Sequence, residues 1–170
     1  AWLRLEDVSL TAIGFFNAIQ LPYVLKFLWA PLLERYSLPF LGRRRGWMLV
    51  IQVSLIFAIA ALGWWKPSTE LQAIVLVSIF IAIASATQDV VLDAYRREIL
   101  ETEGELALGN NLHVQAYRIS SLIPGSLGFF LIGVVDWHTN FVVMAAFMLV
   151  GVGLTLVIRE PALVAPPPGT

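Results

Sequence analysis

Lys26, Asp89, Asp93 and Arg118 stand inside, or at the edge of, sequence that is otherwise apolar. Lys26 interrupts "QLPYVLKFLWAPLLERY", residues 20–36, with no other charge nearer than Glu34. Asp89 and Asp93 are four residues apart, so on a helix both carboxylates share one face, and Gln88 adjoins them. A Lys, Arg or Asp at the centre of a membrane helix costs about 2.5–3.5 kcal/mol, so such groups face a partner or a polar cavity. Two cations and two carboxylates in one layer suit a cavity that handles an anionic solute or a proton. Two plainer readings stand beside it. Lys26 can snorkel to the headgroups on its apolar stem, and Asp89 with Arg118 can form an ion pair that only fixes packing. A metal site is not expected, since the chain has no cysteine. His113 and His138 fall at opposite ends of one stretch and beyond, which leaves no pair for a metal or a relay.

The elements that must position these groups are membrane helices. Of the 170 residues, 58% are hydrophobic and 14% charged, and the mean hydropathy is +0.78. Water-soluble domains carry about 25% charged residues. A net charge of −1 gives no reason to expect nucleic acid as a partner. A helix needs about 20 apolar residues to cross the hydrocarbon. Five stretches meet that length, at about 8–33, 47–65, 71–92, 111–133 and 139–158. Nothing alternates with the period of a barrel strand, so the fold class expected is all-α integral membrane. Residues 1–158 form the helical domain, and the Pro-rich 159–170 reads as a linker towards a further half of the chain. Lys26 lies roughly 10 Å inside one boundary at 1.5 Å per residue, and Arg118 is at a similar depth. Asn17, Gln20, Gln52 and Gln115 add polar groups within or near the spans, and Pro22, Pro31 and "PGSLG" at 124–128 permit kinks.

Arg35, Arg43, Arg44, Arg45, Arg96, Arg97 and Arg159 fall on one side of this arrangement, against Arg4 and Lys66 on the other. The positive-inside rule places loops 34–46 and 93–110, and the C-terminal end, in the cytoplasm. The N-terminal end then lies outside, and an odd number of spans entering from outside leads us to expect one more helix before them. The acids Glu98, Glu101, Glu103 and Glu105 share the second inner loop.

The loop "ERYSLPFLGRRRGW", residues 34–47, is an anchor for topology. It also resembles the inner-loop signature of the major facilitator superfamily, in which acidic and basic residues latch the two halves. On that resemblance Glu34, Arg35, Gly42, Arg43, Arg44 and Arg45 are the gate loop, and the five spans correspond to helices two to six of the N-terminal half. "LPYVLKFLWAPLLERY", "FLGRRRGW" and "ATQDVVLDAYRREIL" together closely resemble the AmpG-type muropeptide permeases of bacteria, from about Ser9 to Pro161. Eukaryotic acetyl-CoA transporters share "ATQD" more distantly. Glu34 departs from the family's usual Asp and keeps the carboxylate.

That resemblance implies a proton-coupled importer of anhydro-muramyl peptides from peptidoglycan turnover, in the bacterial inner membrane and without a cofactor. The solutes are anionic sugars with peptide stems, which cations at Lys26 and Arg118 would suit. The site residues expected along the path are Lys26, Gln88, Asp89, Asp93 and Arg118, with protons, solute, lipid and the missing second half as partners. Other readings are weighed against muropeptide transport. An enzyme is disfavoured because no nucleophile sits in a catalytic motif. A non-transporting membrane module, or a carrier of another anion such as acetyl-CoA, is the alternative.

Overall fold

A computed structural model describes residues 21–36, 41–66, 69–100, 102–131 and 134–160. Arg4, Asn17, Gln20, Pro39, Glu101 and the tail from Pro161 onward therefore lie outside the described residues, as do the side chains of Glu34 and Pro124. The described elements are α1 (Leu21–Leu25), a 3-10 turn (Lys26–Leu28), α2 (Ala30–Arg35), α3 (Arg43–Leu62), α4 (Leu71–Ile99), α5 (Glu103–Leu131) and α6 (Trp137–Val157). Three of the described helices, α3, α4 and α6, are long and apolar enough to cross a membrane. The expected fourth span, 111–133, falls on α5, and the first, 8–33, is described from Leu21 onward.

The first stretch is broken rather than bent. Pro31 occupies the first turn of α2, where a missing N–H costs nothing. Its ring would clash with the carbonyl four residues back in a continuous helix, so the chain tightens into the 3-10 turn at Lys26–Leu28 just upstream. Lys26 thus stands at a kink. The indole Nε1 of Trp29 donates to Thr87 Oγ1 at 3.2 Å and ties the kink to α4.

Helix ends differ from the expected spans wherever polar sequence still favours a helix. α4 continues past Leu92 through "DAYRREI" to Ile99. Its 29 residues measure roughly 43 Å, against a hydrocarbon thickness of about 30 Å. α5 opens at Glu103, well before Asn111, because Thr102 and Glu105 form a capping box. Thr102 Oγ1 accepts from the Glu105 amide at 3.2 Å, and Glu105 Oε2 accepts from the Thr102 amide at 3.1 Å.

α3 lies between α4 and α6 and packs along both. Leu33, Met48, Ile51, Leu55, Ala84 and Val91 form the buried cluster. Ala82 and Ala86 are also buried, and such small residues let helix backbones approach closely. Large apolar side chains such as Phe57, Leu76 and Val157 face outward at 68–81% exposure, the distribution expected where lipid is the solvent. Between α3 and α6, Thr155 Oγ1 donates to Gln52 Oε1 at 2.9 Å in the interior.

Asp136 caps α6. Its Oδ1 accepts from the Thr139 hydroxyl at 2.6 Å and its Oδ2 from the Thr139 amide at 3.3 Å. These bonds, the hydroxyl's first, hold the carboxyl below the usual carboxylate range. A depressed folded pKa means the cap's contribution is complete above the unfolded value of about 3.9 and is lost as pH falls through the folded one. Hydrogen exchange at the start of α6 is therefore expected to be faster in Asp136→Ala than in the wild type near neutral pH. The two should converge once the carboxyl is protonated; an equal gap at every pH would show that the charge is not what holds the cap.

Candidate functional site

The kink of the first stretch faces α4 near its polar end. Lys26 Nζ stands 3.8 Å from Asp89 Oδ2, a charge contact longer than a direct hydrogen bond, with both side chains partly exposed. Asp93, one turn on, accepts from Arg96 on the same helix at 2.6 Å. Lys26, Asp89 and Asp93 line a cavity of about 200 Å³ that α5 completes with His113 and Tyr117. The structure thus brings together three of the five residues expected along the path. Gln88 is half-buried, and its Oε1 is buried without a hydrogen-bond donor among the described residues. Arg118 is exposed on α5, next to Tyr117, and is not among the described residues lining this cavity. His113 and Tyr117, which sequence reasoning did not place here, arrive because they are four apart on the face of α5 turned to Lys26. His138 is elsewhere, stacked on Trp64 with ring centroids 5.5 Å apart.

A second cluster forms where α3 begins. Gly42 takes φ +91° and ψ 177°, a region essentially restricted to glycine, and directs the chain into α3. Glu98, near the end of α4, accepts through Oε1 from Arg43 at 2.6 Å and from Arg44 Nη2 at 2.6 Å and Nε at 3.0 Å. Glu160, just past α6, accepts from the backbone amides of Arg44 at 2.7 Å and Arg45 at 3.0 Å. It closes the open N-terminus of α3 with a negative charge, where the helix dipole favours one. Arg45 does the converse, donating to the carbonyls of Thr155 and Leu156 at 3.0 and 2.7 Å at the C-terminal end of α6. Tyr95 donates to the Arg159 carbonyl at 2.9 Å. One clasp therefore joins the ends of α3, α4 and α6. Of the expected gate-loop residues, Gly42, Arg43, Arg44 and Arg45 are within it, and Arg35 is exposed. The carboxylates that the described arginines meet come from α4 and the segment after α6, residues the loop sequence does not contain.

A family model described as acetyl-coenzyme A transporter 1 matches residues 3–71. An uncharacterized protein of Haemophilus influenzae is 48% identical over 161 residues, covering 94% of this chain and 38% of that protein. The anhydromuropeptide permease of Escherichia coli K12 is 40% identical over 171 residues, covering all of this chain and 35% of the permease. A Rickettsia typhi protein carrying the name AmpG 3 is 34% identical over 156 residues, 89% of this chain and 37% of its own length. The chain spans just over a third of the length of these curated relatives.

Proposed function

Because the chain belongs to the AmpG-type family of permeases, we propose that it forms part of a proton-coupled secondary transporter that brings anhydro-muramyl peptides across the bacterial inner membrane. The observation that carries this reading is the Lys26–Asp89 pair at 3.8 Å beside a cavity shared by α4 and α5. A solute carboxylate arriving at Lys26 takes the counter-charge from Asp89, which then accepts a proton. Proton and solute are coupled without covalent chemistry. Gln88 and Arg118 belong to the same path, Gln88 beside Asp89 and Arg118 on the helix that closes the cavity.

In this reading the arginine-rich ends of α3 and α4 and the segment after α6 face the cytoplasm, as the positive charge there favours. The clasp is then an inner gate to which Glu34 and Arg35 also contribute. An isolated exposed ion pair is worth about 0–1 kcal/mol; here Arg43 and the buried Arg44 share Glu98, and it is this joined set that biases the conformational equilibrium.

The match of residues 3–71 to the acetyl-coenzyme A transporter model supports a second reading, in which the anion is acetyl-CoA or a relative of it. Uptake by proteoliposomes of the full-length protein tests both. Radiolabelled anhydro-muramyl tripeptide is expected to accumulate under an inward proton gradient, to leak back when a protonophore is added, and to be unaffected by excess acetyl-CoA. Accumulation that acetyl-CoA suppresses transfers the function to the second reading. Accumulation that ignores the protonophore removes the coupling.

A further inference from the structure

Beyond the Lys26–Asp89 cavity lies a second one, of about 320 Å³, which Lys26 and Asp93 also border. Its remaining charged lining is Arg44, Arg97 and Glu98. Three cations therefore line it with two carboxylates; Lys26 also meets Asp89 outside the lining, while each lining carboxylate is shared with an arginine outside it. Asp93 accepts from Arg96, and Glu98 accepts from Arg43 as well as Arg44.

Two of the cations have donors to spare. Arg44 is 3% exposed, yet its Nη1 makes no hydrogen bond among the described residues. Leaving a buried guanidinium N–H without an acceptor is costly, and native interiors rarely do so. Arg97 is exposed and forms no ion pair among the described residues. A guanidinium presents planar N–H donors that match two oxygens of a carboxylate or phosphate, and Lys26 adds a point charge from the 3-10 turn.

We propose that this second cavity is an oxyanion subsite, in which Arg44, Arg97 and Lys26 bind a carboxylate or phosphate group. An acceptor here satisfies the orphaned Nη1 of Arg44 and balances the surplus charge. Lys26 borders both cavities, so one cation serves the two. That the anion belongs to a transported solute rests on the reading above; the binding site itself does not.

The probe is inorganic phosphate, followed by its ³¹P linewidth on the full-length protein in neutral detergent at fixed ionic strength. Saturable broadening is expected, weakened about tenfold in Arg97→Gln by loss of a charge-assisted contact. Lys66→Gln, which removes an equal charge from an exposed position remote in sequence from the cavity, should bind as the wild type does. Broadening that never saturates, or that survives Arg97→Gln unchanged, overturns the proposal. Repeating the titration in nanodiscs separates the two sources of such a group. Loss of phosphate binding in phosphatidylglycerol discs, but not in phosphatidylcholine discs, marks a lipid headgroup as the occupant; binding in both marks a soluble anion. A protein that accumulates anhydro-muramyl peptide but shows no saturable broadening refutes the subsite and leaves the transport reading standing, and one that binds phosphate but moves no solute does the reverse.

Discussion

Lys26→Met in the full-length protein is expected to insert normally and to lose uptake. Methionine is close to lysine in length and removes the cost of about 2.5–3.5 kcal/mol that a cation carries at a helix centre. What disappears is the charge 3.8 Å from Asp89. A charge-assisted contact is worth about 1.5–3 kcal/mol, so solute affinity should fall roughly 10- to 150-fold. Asp89→Asn separates the two functions proposed for the pair. It keeps the lysine, so solute-for-solute exchange should persist, while accumulation against a gradient should vanish for want of a proton carrier. Both are read in energised proteoliposomes, with insertion checked by yield and monodispersity. Lys26→Met vesicles that accumulate solute at the wild-type level would make the lysine a snorkelling anchor and end the coupling mechanism.

Gly42→Ala should have the largest effect on stability. Two penalties coincide at this residue. The backbone conformation at φ +91° costs a non-glycine residue about 1–3 kcal/mol. A Cβ there would also stand 2.6 Å from Glu160 Cδ and 2.7 Å from its Cγ. Alanine therefore expels Glu160 from the amides of Arg44 and Arg45. Glu160→Gln keeps the backbone relaxed and loses only the charge, so its thermal midpoint in detergent should lie between those of the wild type and Gly42→Ala. A Gly42→Ala midpoint equal to the wild type's would show that neither the cap nor the turn restrains the helix ends.

The charges inside apolar runs were legible because such runs make them conspicuous. Lys26, Asp89 and Asp93 could be picked out by eye, and the kink that aims Lys26 was signalled by Pro31. The capping box at Thr102–Glu105 was legible too, as T-x-x-E, but an apolar window has no means to count it and so began the helix too late. Glu98 and Glu160 were not legible as partners. Each sits in polar sequence where acids are ordinary, and their roles depend on where two distant helices end. His113 and Tyr117 carry no pattern of their own. Which face of α5 turns inward is decided by packing against α4, and the sequence of α5 offers polar groups on several faces.

The Glu160 cap also sets an order of events during synthesis. Arg44 and its capping carboxylate are 116 residues apart. Glu98, 54 residues after Arg44, is made well before it. At about 5–20 residues per second, the N-terminus of α3 waits roughly 6–23 s for its cap. Through that interval the amides of Arg44 and Arg45 lack this acceptor, and Arg43 and Arg44 lack Glu98 until α4 has been made. A nascent chain in this state carries the Arg43–Arg45 cluster without the carboxylates it meets in the folded clasp. Closure of the clasp comes only when α6 has been delivered, so Glu160 is the last of its described residues to engage.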